Sequence, residues 1–193
     1  MKRLGAGLLT SAVLGVAALA SPPASARVQA GTVSCDKVTG VLVFTPALTN
    51  DGGATGAVSG KFILHGCSSD SVRLPPKAIG SVRATVQATC TGIAPSVTFL
   101  GLQIVVTIWW GLRGIAPTSV AFVGESLITS PTIGFAIGGS GTSARGSFHG
   151  PDGGASSTAM VTSALTAQSA LSACDSATGL HRLKIAGGTL HVG

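Results

Sequence analysis

Gly80-Ser81-Val82-Arg83-Ala84-Thr85-Val86-Gln87-Ala88-Thr89-Cys90 is the stretch on which the fold turns. Val82, Ala84, Val86, Ala88 and Cys90 alternate with Ser81, Arg83, Thr85, Gln87 and Thr89, a period of two. Successive side chains of a strand point to opposite faces, so this pattern predicts a half-buried strand with Cys90 on its buried side. Phe99 to Trp110 is a second strand candidate, rich in β-branched residues. Leu100, Leu102, Ile104, Val106, Ile108 and Trp110 would share one face of it, and Phe99, Gly101, Gln103, Val105, Thr107 and Trp109 the other.

Working outward, strands are expected at Gly40–Phe44, Gly60–His65, Ser119–Gly124, Thr132–Ile137, Ala144–His149 and Ser157–Ala164, and at Arg182–Ala186 and Thr189–Val192 around Gly187-Gly188. Asn50-Asp51-Gly52-Gly53, Leu74-Pro75-Pro76, Gly138-Gly139-Ser140-Gly141 and Pro151-Asp152-Gly153-Gly154 read as turns. One short helix is expected from Ala167 to about Ala173, with Thr166 as its N-cap and Leu171 and Cys174 pointing inward. Short strands at this spacing predict a mainly β protein, an antiparallel β-sandwich or barrel-like sheet with one short helix near the C-terminus.

The first 26 residues read as a cleaved secretory signal peptide. Lys2 and Arg3 precede an apolar run from Leu4 to Ala20, Ser21-Pro22-Pro23 ends it, and Ala24-Ser25-Ala26 is a small-x-small site with cleavage expected after Ala26. Residues 27–193 would then form a single extracellular domain of 167 residues, enough for a real core. The leader holds two of the basic residues and no acid, so the net charge falls from +6 to +4. Charged residues make up 9% of the chain, against about 25% in ordinary soluble domains. No basic run with interleaved aromatics marks a nucleic-acid binder, and no apolar stretch of the mature chain is long enough for a spanning helix.

Cys35, Cys67, Cys90 and Cys174 lie 32, 23 and 84 residues apart, which is not metal-ligand spacing. An even count in a secreted chain predicts two disulfides. Of the three possible pairings, Cys35–Cys67 with Cys90–Cys174 is the one expected, because it staples the first hairpin and ties the C-terminal segment to the core.

Motifs for chemistry are few. Gly139-Ser140-Gly141-Thr142-Ser143-Ala144 matches a relaxed dinucleotide pattern, yet Arg145-Gly146-Ser147-Phe148-His149-Gly150 will not make the helix that pattern needs, so a hairpin turn is expected there. There is no G-x-S-x-G elbow and no H-E-x-x-H. His149 with Asp152 is the one local base–acid cluster, and Glu125 is the lone glutamate. No cofactor or metal is implied. Trp109-Trp110 is the most informative pair. Neighbours on a strand point to opposite faces, so Trp110 would continue the core while Trp109 stands beside Gln103 and Thr107 as a platform for a sugar ring or partner. The plainer alternative is that either indole covers an end of the core.

The run Cys35-Asp36-Lys37-Val38-Thr39-Gly40-Val41-Leu42-Val43-Phe44-Thr45-Pro46-Ala47-Leu48-Thr49, the segment Gly146-Ser147-Phe148-His149-Gly150 and the ending Leu165–Leu183 with Cys174 and Gly179-Leu180 resemble a group of small secreted actinobacterial proteins of unknown function. Ala47 stands where that group commonly has a second proline. The resemblance implies a secreted β-rich fold and supplies no catalytic residues. The function expected from all this is that of a secreted, non-catalytic protein, binding or structural, at the cell envelope or beyond it, with an envelope glycan or protein as partner. The alternatives are a secreted hydrolase whose Ser, His and Asp meet only in the fold, and an envelope β-barrel pore.

Overall fold

A computed structural model describes residues 26–49, 54–91, 96–130, 134–149 and 157–193. Its elements are β1 (Val33–Cys35), β2 (Lys37–Leu48), β3 (Ala54–His65), β4 (Ser68–Ser69), β5 (Lys77–Thr91), β6 (Ser96–Trp109), β7 (Thr118–Ser130), β8 (Gly134–Gly146), β9 (Ser157–Ser163), α1 (Ala167–Cys174) and β10 (Leu180–Val192). The protein is mainly β and antiparallel, with its helix near the C-terminus, as the sequence predicts. Of the two arrangements expected, the pairings describe the barrel-like one. The order runs β2-β3-β5-β6-β7-β8-β9-β10, and β10 also pairs with β2, so the order returns on itself. The free edge of β10 beyond β2 is taken by β1, which carries the two-residue β4 on its far side.

The alternation in β5 sorts its side chains as expected: Ala78, Val82 and Ala84 are buried while Lys77, Ile79, Arg83 and Thr85 are exposed. The buried set of the barrel includes Phe44, Leu64, Ile108, Val120 and Leu183, each worth about 1.5–3 kcal/mol of transfer from water. Outside stand Lys61, Arg83, Arg145, Arg182 and Lys184, all exposed. Apolar within and charged without is the reverse of a barrel that faces lipid.

Three segments depart from the sequence reading, two because glycine serves a strand rather than a turn and one because the strand register shifts. Gly138–Gly141 does not turn: it lies inside β8, hydrogen-bonded to β7 on one side and β9 on the other. A Cβ at Gly141 would meet Val120 Cγ1 at 2.7 Å and Ala121 O at 2.9 Å, so the glycine allows close strand approach. Gly187-Gly188 likewise sits within one strand, β10, at a bulge that leaves Ala186 without a partner on β9. That extra residue moves the buried positions from Leu183 and Ile185 to Leu190 and Val192, an odd-to-even change of phase. In β6 a register shift pairs Gln103 with Thr85 but Gly101 with Val86, so the single face drawn from Leu100 to Trp110 is interrupted. The expected turns at Asn50–Gly53 and Pro151–Gly154 lie outside the described residues, as does the leader up to Ser25.

Helix α1 starts where expected, the Thr166 hydroxyl accepting the Ser169 N–H at 3.1 Å. Its buried face is Ala170 and Cys174, one turn apart, with Leu171 only half-buried. Cys35 and Cys67 are bonded to each other across 32 residues of chain. Closing a loop of that length stabilises by about 3–4 kcal/mol, in the chain-entropy account. Cys174 is disulfide-bonded too. The expected Cys90–Cys174 bond falls on the Cys90 side chain, which lies outside those described.

One end of the barrel is covered by the segment that follows Ala26. Arg27 donates its N–H to the Gly114 carbonyl at 2.6 Å and accepts from Ala116 N–H at 2.8 Å. Gln29 N–H donates to Ser147 Oγ at 3.1 Å, and the Gln29 carbonyl accepts from Phe148 N–H. Beneath this strap the Phe148 ring meets Trp110 edge to face, with centroids 5.1 Å apart.

Candidate functional site

The two tryptophans separate at the end of β6, of which Trp109 is the last residue and Trp110 the first beyond it. Trp110 is 2% exposed and Trp109 is 48% exposed. Trp110 covers an end of the core, and its indole N–H donates to Thr118 Oγ1. Trp109 stands on the outer face, and strand register places it in company. Ile79 of β5 pairs directly with Trp109, and Ile63 of β3 pairs directly with Ile79. Both isoleucines are exposed, 41% at Ile63 and 59% at Ile79. Directly paired residues share a face, so the three side chains form an outward apolar row across three strands. Strands lie about 4.8 Å apart, which gives the row a length of roughly 10 Å.

Cations border this row. On the flank toward the barrel end His65 pairs with Lys37 on one side and Lys77 on the other, and Lys61 pairs with Ser81 on the other flank. Arg83 follows two residues beyond Ser81. Lys37, Lys61, Lys77 and Arg83 are all exposed, and β2, β3, β5 and β6 together contain no Asp or Glu. The sequence shows these cations only singly, because residues far apart in the chain become neighbours through register, Lys37 beside His65 and His65 beside Lys77. Strand pairing was the signal needed to see them as one face.

The residues that could serve hydrolysis are held otherwise. His149 Nδ1 lies 3.0 Å from the Gly146 carbonyl, which can only accept, so Nδ1 carries the proton. Ser147, the serine nearest to it in sequence, is buried; its Oγ accepts from Gln29 N–H and donates to the Arg27 carbonyl at 3.4 Å. Asp152 lies outside the described residues, and so does the side chain of Glu125 in β7. His191 is bonded to Ser34 and His65 to Thr39, in separate parts of the sheet. Among the described residues no three His, Cys, Asp or Glu side chains gather.

The barrel interior holds a cavity of about 130 Å³. Among the described residues its lining comes from β2, β3, β5, β6, β7, β9 and β10 and is apolar apart from Lys61, whose strand position faces outward. Left unfilled, such a space costs roughly 3 kcal/mol at about 24 cal/mol per Å³. Compared with protein-family models, with curated proteins and with solved structures, the chain matches none.

Proposed function

We propose that this is a secreted, non-catalytic binding protein of the cell envelope, which docks through the face centred on Trp109. The observation that carries the reading is the exposed row Ile63, Ile79 and Trp109, set among Lys37, Lys61, Lys77 and Arg83 with no acidic residue on the same four strands. An exposed indole suits the face of a sugar ring, and the surrounding cations suit acidic groups along a polymer. The occupant that fits both is an anionic envelope glycan. Disulfide bonds at Cys35–Cys67 and at Cys174 suit an oxidising compartment outside the cytoplasm. Arg27, the first residue after the expected cleavage site, is bonded into the fold by its own N–H and carbonyl, which fits a mature chain that begins there.

The test is co-sedimentation of the secreted protein with envelope fractions of the producing cell at low and high salt, beside Trp109→Ala and the pair Lys61→Gln, Lys77→Gln. Pelleting that either variant weakens supports the face. Absence of pelleting, or pelleting that neither variant changes, overturns it. N-terminal sequencing of the secreted protein checks the address: Arg27 first is the expected result, and an intact leader overturns it.

A further inference from the structure

Inward-facing side chains of the barrel divide into two sets. Leu64, Ile108 and Val120 are sealed, whereas Leu42, Phe62, Ile104 and Val161, also on the inner face, remain only half-buried. The unburied remainder of the second set faces the cavity of about 130 Å³. Eight-stranded barrels have interiors just wide enough to be filled by side chains or to hold one small ligand. Here the inner positions carry several small residues, Ala84 and Ala159 among those that line the space, and filling is incomplete.

We propose that the barrel interior is a binding site for one compact apolar molecule, about the size of a single aromatic ring. Size follows from volume: cavities of about 150 Å³ lined by Leu, Ile and Phe stay dry and take up benzene. Polarity follows from the lining, which among the described residues offers no inward hydroxyl, amide or charge to meet a polar head group. A ligand that buried such a group here would lose its hydrogen bonds to water without replacement. Phe44, Phe62 and Phe122 supply ring edges and faces, and Leu42, Val82 and Val106 supply methyl groups around them. This site lies on the opposite side of the sheet wall from the Trp109 face, so neither depends on the other.

Toluene is the probe. It would be titrated into the purified protein while the methyl resonances of Val, Leu and Ile are followed by NMR. Saturable shifts clustered on Leu42, Val82, Val106 and Ile185 are expected, with Ile63 and Ile79 on the outer face unmoved. Ala84→Leu and Ala159→Leu, which grow into the space, should each weaken toluene binding by at least about tenfold. Trp109→Ala should leave it unchanged. No saturable shift in the unaltered protein overturns the proposal, as do shifts confined to Ile63 and Ile79 or toluene binding that survives in a folded filling variant. If neither filling variant folds, the position of the shifts in the unaltered protein decides by itself.

Discussion

Trp110 donates its indole N–H to Thr118 Oγ1 at 2.8 Å, and that hydroxyl in turn donates to the Ser147 carbonyl. All three residues are at most 2% exposed. A single threonine hydroxyl thus satisfies a donor and an acceptor that have no water to turn to, and links the chain after β6, the start of β7 and the chain after β8 at the covered end of the barrel.

Thr118→Val keeps the shape and removes both bonds. It leaves a buried indole N–H and a buried carbonyl unpaired, which should cost about 1–3 kcal/mol. Denaturant unfolding checks this, as a lower midpoint at unchanged slope. Thr118→Ser, which retains the hydroxyl, should recover much of the loss. An unaltered midpoint in the valine variant would show that the bonds contribute nothing.

Gly188 has φ +137, and a Cβ there would run into the Met160 carbonyl of β9. Gly187 has no such backbone strain, and its added Cβ would meet only the Thr162 hydroxyl at 3.0 Å. Gly188→Ala should therefore destabilise by about 1–3 kcal/mol and Gly187→Ala by clearly less. Side-by-side thermal unfolding of the two variants distinguishes them, and equal losses would count against the bulge as the cause.

The same two glycines mark where sequence reading stopped. In β5 the period of two is unbroken, and as far as Thr85 the buried and exposed positions follow from it directly. In β10 the pair Gly187-Gly188 looks like a turn because isolated glycines signal either a turn or a bulge, and only the partner strand decides which. Gly138–Gly141 misled for the same reason, its backbone being shared between β7 and β9. The candidate face was half legible. Trp109 stood out by strand parity, but Ile63, Ile79 and the cations around them are neighbours only through register, which a single sequence does not carry.

Asp70 accepts the Thr32 N–H at 2.8 Å, and this backbone bond is the main cause holding its carboxyl below the ordinary value of 3.8. The folded value is the depressed one, so the carboxylate supports the fold above the ordinary carboxylate range and loses that role as pH falls through the folded value. Amide exchange at Thr32 reports it locally. Exchange corrected for intrinsic rate should rise on acidification below that range in the native chain, and should be fast at every pH in Asp70→Ala. A Thr32 amide equally protected in the variant would remove Asp70 as its anchor.

Trp109 and Trp110 are chain neighbours with opposite expected phenotypes, and the contrast tests the face most sharply. Removing the Trp110 ring empties the packing against Phe148 and should cost about 3–5 kcal/mol. Removing the Trp109 ring forfeits a cross-strand contact with Ile79 worth about 0.2–1 kcal/mol and little else. Trp109→Ala should therefore unfold close to the parent protein yet lose envelope binding. A folded Trp110 variant, even if weakened in stability, should keep that binding below its unfolding transition, because the outer row is intact. If Trp109→Ala instead proves as unstable as Trp110→Ala, the exposed indole is serving the fold, and the docking face loses its central residue.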